Sequence, residues 1–298
     1  MMDYTDRHFR VVMRQVSRHA LLYTEMVVAQ ALHHGRQDTL LGFDPLEKPI
    51  ALQLGGDDPA LLAEAAELAE RWGYDEINLN VGCPSQRVQA GNFGACLMAD
   101  PDLVARCVEA MGQASALPVT VKHRIGIDEL DNDTLLTAFV DRVAEAGAQR
   151  FSVHARKAWL EGLDPKQNRT IPPLQHDRVV ALKQRRPELL IELNGGLETP
   201  ADCLVALDEC DGAMVGRAAY AHPLRWADMD HLIYGEAPRQ LLASDVVEGL
   251  IPHAAQHLHR GGRLWDLCRH LVQLVEGVPG ARYWRRELGE RSQRKGAD

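Results

Sequence analysis

The sequence lacks the features that mark membrane and secreted proteins. No apolar run approaches the roughly 18–20 residues that a membrane-spanning helix needs. The first residues include Asp3, Asp6 and Arg7 instead of an apolar stretch, so no secretory signal peptide is visible. We therefore expect a cytoplasmic protein that has no membrane partner.

Metal-binding and disulfide patterns are also missing. The six cysteines show no CxxC spacing, which favours reduced thiols over a disulfide framework or a zinc site. Histidine and acidic residues do not cluster at ligand spacing either, so the sequence predicts no metal site. The cysteines are Cys83, Cys96, Cys107, Cys203, Cys210 and Cys268.

Basic charge is scarce in most of the chain and concentrated at its end. The net charge is −9, yet the segment from His259 to Asp298 carries nine Lys and Arg against five Asp and Glu. A basic C-terminal segment on an acidic body is typical of a phosphate-binding surface. An ordinary solvated helix face explains the same charge pattern equally well.

What the sequence does contain is a repeated alternation of short β-rich runs and amphipathic helical segments, which indicates a parallel sheet. The segment Tyr234–Pro238 is a candidate linker, and the pattern after it is purely helical. The predicted helices are Pro59–Trp72, Pro101–Ala114, Thr134–Ala146, His176–Arg185 and Pro200–Leu207. The predicted strands are Leu21–Thr24, Pro49–Leu54, Glu76–Asn80, Pro118–Arg124, Arg150–His154, Leu189–Asn194 and Gly212–Gly216.

Alternation within the strands distinguishes a barrel from an open sheet. One face of each strand is apolar and suits packing against helices, while the opposite face ends in a polar residue or glycine. A barrel collects such residues at the C-terminal ends of its strands, where barrel enzymes place their chemistry. We call this edge the mouth; its predicted residues are Gln53, Asn80, Lys122, His154, Asn194 and Gly216.

The number of predicted strands leaves the barrel one short. An (β/α)8 barrel has eight strands, whereas only seven are visible here. The chain begins in a polar, helix-like segment from Asp3 to Gln15, with no strand before it. We therefore expect an α/β barrel whose first strand is missing, followed by a small all-α domain.

A single cysteine stands out at the end of the third predicted strand. Cys83 lies between Gly82 and Pro84, on a turn just beyond the strand. Cys83 could be no more than a small buried hydrophobic residue, but its position on a turn favours a reactive thiol. Placed above a flavin, such a thiol can act as a general acid toward carbon. Cys96 is the weaker candidate, and we expect it to pack.

Glycines and cations at the mouth suggest an anionic ligand. Asn194-Gly195-Gly196 and Gly216-Arg217 follow the last two strands, where barrels often bind phosphate. Lys122 suits either a structural ion pair or a reduced flavin that carries negative charge. His154 suits either a buried core position or a ligand contact, and Gln53 could hydrogen-bond the edge of a flavin ring.

Several longer segments resemble one family, the tRNA-dihydrouridine synthases, and within it the A subfamily. The two most specific are Asn78-Leu79-Asn80-Val81-Gly82-Cys83-Pro84-Ser85 and His154-Ala155-Arg156-Lys157-Ala158-Trp159-Leu160. Others are Leu22–Met26, Ile50–Gly56, Val119–Lys122, Pro165–Arg169, Ile171–Leu174 and Arg282–Arg286.

The resemblance implies an FMN-containing barrel over residues 1–235 and a helical tRNA-binding domain over residues 240–298. In this family NADPH reduces FMN, hydride passes to C6 of a uracil at D-loop position 20 or 20a, and a cysteine protonates C5. The target uracil must leave the RNA fold to reach the flavin, which costs a few kcal/mol. We expect a monomer that binds tRNA and not DNA.

The resemblance also assigns residues. Cys83 takes the place of the catalytic cysteine. The FMN-contacting positions fall on Met1, Gln53, Lys122, His154, Asn194, Gly195, Gly196, Gly216 and Arg217. The tRNA-contacting positions fall on Asn80, Arg87, Arg156, Lys166, Asn168, Arg169, Arg282 and Arg285.

The chain departs from the family pattern at both ends. Family members begin with a strand that ends Ala-Pro-Met, and Met1 matches the last residue of that motif. The helical domain stops early, at Arg294–Asp298. These departures leave one alternative to an active flavoenzyme, a tRNA-binding remnant that cannot retain FMN. A third hypothesis, a flavin barrel acting on a free pyrimidine, would need no basic helical tail.

Overall fold

The computed structural model describes residues 1–298 as an α/β protein. A parallel sheet curls into a half-barrel, and helices cover its outer face. The predicted fold class, a barrel of this type followed by helices, is confirmed.

The sheet contains every strand that the sequence predicts, and all its neighbouring strands run parallel. Its order is β1-β3-β4-β5-β6-β7-β8, and β2 also pairs with β3. The first predicted strand corresponds to β1, which is shorter than predicted, and β2 is a short additional strand that the sequence does not predict. The strands are β1 (Leu22–Tyr23), β2 (Val27–Val28), β3 (Ile50–Gly55), β4 (Glu76–Val81), β5 (Val119–Arg124), β6 (Arg150–His154), β7 (Leu190–Asn194) and β8 (Gly212–Met214).

The sheet does not close on itself, because β1 and β8 form the two ends of the ladder. Residues from the N-terminus approach the end of β8. The sulfur of Met1 lies 3.4 Å from the position that a Cβ would take at Gly216. Because β1 and β2 both pair with β3, they share one position. The curled sheet therefore has seven strand positions, as the sequence predicts.

The helices that follow the strands begin with strong capping signals. Asp58, Asp100 and Thr199 accept hydrogen bonds from N–H groups of the first turns of α4, α6 and α9, and a proline follows each of them. The helices are α1 (Arg7–Val16), α2 (Ala29–His34), α3 (Gln37–Leu41), α4 (Pro59–Trp72), α5 (Gln86–Ala90), α6 (Pro101–Ala114), α7 (Asp133–Glu145), α8 (His176–Arg185), α9 (Pro200–Glu209), α10 (Arg217–Ala221), α11 (Met229–Tyr234), α12 (Ala243–His259), α13 (Leu264–Cys268) and α14 (Ala281–Ser292), with 3-10 turns at Pro45–Glu47, Gly94–Ala99, Gln167–Arg169 and Pro223–Trp226.

Helix α1 forms in the segment that reads as polar, but most of its residues are buried. Its two buried arginines have acceptors inside the protein, although the Nε of Arg14 has no partner. Arg10 pairs with Glu47 at 2.5 Å, and Arg14 donates to backbone carbonyls that include those of Ser17 and Glu47. Polar composition therefore does not place this helix on the surface, because each buried guanidinium has its own acceptors.

The apolar strand faces form the core between the sheet and the helices. Ile50, Leu52, Ile77, Leu79 and Phe151 are fully buried there. Each occupies the strand parity that the sequence assigns to the helix-facing side. The opposite parity, which faces the inside of the half-barrel, is left to polar residues.

The C-terminal part of the chain is helical. Residues 235–242 contain no helix or strand, and α12, α13 and α14 follow them. Val246 and Leu250 of α12 belong to the same apolar cluster as Val12 of α1. None of the helices in the structure has both the length and the apolar character that crossing a lipid bilayer requires.

Candidate active site

The strand register brings the predicted mouth residues together on one edge of the sheet. Asn80 on β4 lies opposite Lys122 on β5, and Arg124 on β5 lies opposite His154 on β6. His154 in turn lies opposite Asn194 on β7. The parity argument from the sequence therefore correctly identifies neighbours around the curled sheet.

Cys83 lies on a turn that is held in place from several directions. Its thiol is partly exposed, and its carbonyl accepts the N–H of Ala95 at 2.9 Å. A Cβ at Gly94 would lie 2.6 Å from the Cys83 carbonyl oxygen, and Gly94 has a φ of +80°. Only glycine suits both conditions. The loop that begins at Gly94 therefore packs directly on the cysteine turn.

Asn80 fixes the other side of this turn. Its side-chain oxygen accepts the N–H groups of both Gly82 and Cys83 at 3.0 Å. Its side-chain nitrogen donates to the oxygen of Gln53 at 2.9 Å. Both predicted amides thus lie beside the cysteine turn, and one is bonded directly to it.

Lys122 is an enclosed cation without an ion-pair partner. Burial lowers its pKa to about 8, and the positive charge of Arg124 acts in the same direction, while Cys83 and Glu192 oppose the shift. A lysine in a structural ion pair would show the opposite shift. This favours the ligand-facing interpretation of Lys122 over the structural one.

His154 lies among cations and beside a glycine turn. Burial lowers its pKa well below the usual value, and the charges of Arg124 and Lys122 add to the effect. The imidazole is therefore neutral at pH 7. A Cβ at Gly195 would lie 2.6 Å from the ring, so the backbone approaches His154 as closely as glycine permits.

The two glycine segments border the same space. Gly195 and Gly196 have φ values of +106° and +73°, and the Gly195 carbonyl accepts a hydrogen bond from His176 at 2.7 Å. Asn194 donates to the carbonyl of Met214 at 2.7 Å, which ties β7 to β8. Its side chain thus braces the strand ends.

Four arginines surround this space, and none has a carboxylate within ion-pair distance. Arg124 is buried, whereas Arg156 and Arg169 are partly buried and Arg217 is exposed. Burial lowers the pKa of Arg156, and the charge of Arg217 lowers it further. The pKa of Arg217 is likewise lowered by burial and by Arg169. Cations that lower one another's pKa values favour an anionic ligand.

The other residues predicted to meet RNA occupy two surfaces. Arg87 is exposed on α5, directly after the cysteine turn, and Lys166 is exposed beside the 3-10 turn at Gln167–Arg169. Arg282 and Arg285 are exposed on α14, in the basic C-terminal segment.

Asn168 requires a correction. It is fully buried, its nitrogen donates to the carbonyls of Trp159 and Leu163, and its oxygen accepts the Trp159 N–H. No part of this amide is free for a nucleic acid. Asn168 braces its own loop, and we do not retain the predicted contact with RNA.

Two functional candidates were missed by sequence reasoning. Arg124 donates to the carbonyls of Gly82, Lys157 and Asn168 at 2.9–3.1 Å, which links the cysteine turn to the neighbouring loop. Glu25 has a buried oxygen without a hydrogen-bond partner, and burial raises its pKa. Arg124 could have been identified from the sequence by its inward parity on β5, which it shares with Lys122.

A polar layer beneath the mouth was missed as well. It consists of inward-facing residues on the lower halves of the strands, and we call it the floor. Except for Tyr23 on β1, each has the same parity as the mouth residue of its own strand, which was the available signal. The floor comprises Tyr23, Glu76, Thr120, Arg150, Ser152 and Glu192.

Cys96 contacts the neighbouring backbone. Its sulfur lies 3.2 Å from the carbonyl of Phe93, and burial raises its pKa. Both observations agree with a packing role.

The chain is similar to known proteins along its whole length. The family model described as dihydrouridine synthase (Dus) matches residues 1–298. A tRNA-dihydrouridine(20/20a) synthase from Synechocystis is 57% identical over 290 residues, which cover 97% of this chain and 87% of that protein. Proteins of the same name from Shewanella oneidensis and Xanthomonas campestris are 52% and 50% identical, and each match covers 100% of this chain and 88% of the relative.

Proposed function

We propose, from the premise that the chain belongs to the dihydrouridine synthase family, that it reduces uridine to 5,6-dihydrouridine at positions 20 and 20a of tRNA. FMN is the proposed cofactor and NADPH the proposed reductant. The observation that carries the proposal is the position of Cys83 on a braced turn at a mouth lined with unpaired cations.

The residues at the mouth fit a bound FMN. Gly195 and Gly196 bring the backbone against His154 and Leu174, because a Cβ would lie 2.6 Å from the His154 ring or 2.4 Å from Leu174. The Nε atom of Arg169 is buried without a partner, as expected of a cation that faces an anionic ligand. Gln53, Lys122, His154, the glycines and Arg217 would hold the cofactor, with Met1 beside Gly216.

FMN, when bound, supplies the hydride that reduction adds to C6 of the uracil. Cys83 supplies the proton for C5 in its role as general acid. The Asn80 oxygen and the Arg124 guanidinium hold the backbone on either side of Gly82, so the thiol keeps one position relative to the mouth. A fixed donor lowers the entropic cost of proton transfer.

Lys122 and His154 contribute complementary charge states. Lys122 remains mostly protonated at pH 7 because its pKa is about 8, so it offers a positive charge to an anion. His154 is neutral and can both donate and accept a hydrogen bond. Together they offer an anion one positive charge and one neutral hydrogen-bonding group.

Recognition of tRNA is divided between the rim of the mouth and the C-terminal helices. Arg87, Arg156, Lys166 and Arg169 surround the opening, while Arg282 and Arg285 lie on α14. We propose that residues 1–235 carry the catalysis and that residues 240–298 form the tRNA-binding domain. Lys and Arg on both would contact phosphates, which makes binding dependent on salt.

A direct experiment tests the function. Purified protein is examined for a flavin absorption spectrum and then incubated with NADPH and unmodified tRNA, and dihydrouridine is measured by mass spectrometry. Transcripts in which the uridine at position 20 or 20a is replaced by cytidine locate the product. Binding of tRNA without flavin and without product would instead indicate an RNA-binding remnant, and reduction of free uracil alone would indicate a pyrimidine reductase.

A further inference from the structure

A chain of hydrogen bonds begins at the cysteine turn and runs down the inner face of the sheet. The N–H of Cys83 donates to the Asn80 oxygen at 3.0 Å, as does that of Gly82. The Asn80 nitrogen then donates to the oxygen of Gln53 at 2.9 Å. The two mouth amides are therefore the first links of this chain.

The chain continues into the floor. The Gln53 nitrogen donates to the oxygen of Asn78, and the Asn78 nitrogen donates to the hydroxyl of Thr120, each at 2.9 Å. The Thr120 hydroxyl lies 2.6 Å from a carboxylate oxygen of Glu76 and 3.3 Å from the carbonyl of Ile77, so it donates to Glu76. Gln53, Asn78 and Thr120 are all buried.

Both ends impose the same direction on this chain. At the upper end, the backbone N–H groups can only donate, so Asn80 must present its oxygen to them. At the lower end, the Glu76 carboxylate lies beside Arg150 and can only accept, so Thr120 must donate to it. The three amides between these ends have one orientation each, and every donor points toward Glu76.

We propose that Asn78 and Thr120 are positioning residues for the reduction of uridine. They hold Gln53 and Asn80 in the orientation that braces the Cys83 turn, and Glu76 anchors the chain. The predicted effect on uridine reduction rests on the proposed function, whereas the predicted effect on the Cys83 turn does not. Hydrogen bonds aligned in one direction polarise and strengthen one another, so a break in the floor weakens the turn above it.

The decisive variant is Thr120→Val, which keeps the shape of the side chain and removes the hydroxyl. Asn78 then loses its acceptor and Glu76 loses one of its donors. We expect hydrogen exchange at the N–H groups of Gly82 and Cys83, measured by mass spectrometry without FMN or tRNA, to quicken about fivefold to tenfold, the size expected from one lost hydrogen bond. The rate of dihydrouridine formation at saturating tRNA should fall about tenfold, with KM for tRNA unchanged.

Two further variants separate positioning from packing. Thr120→Ser restores the hydroxyl and should return both quantities to near the wild-type value. Thr137→Val is the matched control, because its hydroxyl donates to the Asp133 carbonyl within α7, away from the mouth. It should change neither quantity.

Unchanged exchange in Thr120→Val would overturn the proposal, as would an unchanged rate of product formation. A loss that Thr120→Ser does not reverse would also overturn it, since the cause would then be packing. The exchange measurement needs no cofactor and no activity. If the wild-type protein makes no dihydrouridine, that result refutes the proposed function, and exchange still decides whether the chain braces the turn.

Discussion

The mouth and the floor of the half-barrel treat charge in opposite ways. At the floor, Arg150 lies between two carboxylates, with its Nε 2.7 Å from Glu192 and a second contact to Glu76. The Tyr23 hydroxyl lies 3.1 Å from both Arg150 and Glu76. At the mouth, Lys122 and its arginine neighbours have no carboxylate partners.

The pKa values follow this difference. Burial opposes the charge on Arg150, but Glu192, Tyr23 and Glu76 outweigh it and raise the pKa of Arg150. For Lys122, burial and the charge of Arg124 together lower the pKa to about 8. Arg150 and Lys122 lie on neighbouring strands of the same sheet. The charged partners, and not the position in the sheet, therefore decide whether the pKa rises or falls.

This comparison separates stability from function. A buried charge with its partners in place is costly to disrupt, whereas a buried charge without partners is itself a cost to the fold. The floor should therefore be sensitive in stability, and the mouth should be sensitive in activity. The following variants test that division.

The largest effect is expected from Cys83→Ala. Loss of a general acid should lower dihydrouridine formation by about 10²–10⁴-fold, while the free energy of unfolding and flavin binding stay near wild type. Product is measured by mass spectrometry and stability by urea titration. Cys96→Ala is the control and should retain activity. Full turnover in Cys83→Ala would remove the proposed acid.

Arg150→Met tests the floor. Removing the guanidinium leaves Glu76 and Glu192 buried without their cation, so the free energy of unfolding should fall by about 3–5 kcal/mol. The same substitution at the exposed Arg36, which pairs only with Asp38, should leave it near the wild-type value. Equal effects of the two variants would contradict the assignment of a stabilising floor.

Lys122→Met tests the opposite prediction at the mouth. Because burial lowers the pKa of Lys122, its positive charge destabilises the fold near pH 7, and the variant should gain about 1–2 kcal/mol of unfolding free energy. FMN affinity should fall in the same protein. A loss of stability like that of Arg150→Met would show that mouth and floor do not differ.

The pH dependence of flavin binding sharpens the same point. Lys122 is charged below its pKa of about 8 and neutral above it. FMN affinity should therefore decline as pH rises above about 8, by up to about tenfold for each pH unit. Fluorescence titrations between about pH 6.5 and 9.5 measure it. The Lys122→Met variant should lose this decline, and a decline that persists would assign it to another group.

The smallest effect is expected on the C-terminal surface. The double substitution of Arg282 and Arg285 by Ala should reduce the slope of log affinity for tRNA against log salt by about 0.7–0.9 for each lost phosphate contact. Stability and turnover at saturating tRNA should not change. Arg36→Ala is the control for lost surface charge. An unchanged slope would exclude α14 from the RNA contacts.

Much of the fold could be predicted from the sequence because its signals are local. Strand parity placed Lys122, His154 and Asn194 on the inner face, and their cross-strand neighbours confirm it. Prolines and capping residues located the starts of α4 and α6. The Cys83 turn was identified from adjacent residues alone, whereas its role in catalysis stays a prediction.

The prediction that failed concerns Asn168. It matched an RNA-contacting position, yet its amide is occupied by the carbonyls of Trp159 and Leu163 in its own loop. The helix-like segment Asp3 to Gln15 does contain α1, but its burial was not predicted, because it depends on Glu47, which lies far from α1 in the sequence. The residue types within either segment do not reveal these partners.

The face that each strand side chain occupies follows from the amino-acid pattern, because alternation is a property of a single strand. The position of the cysteine turn follows from that pattern too. The pairing of the inner charges depends on the folded chain, since Arg150 and Glu76 are 74 residues apart and meet through the register of three strands. The sequence offered cations for both the mouth and the floor, and folding gave carboxylate partners to one set alone.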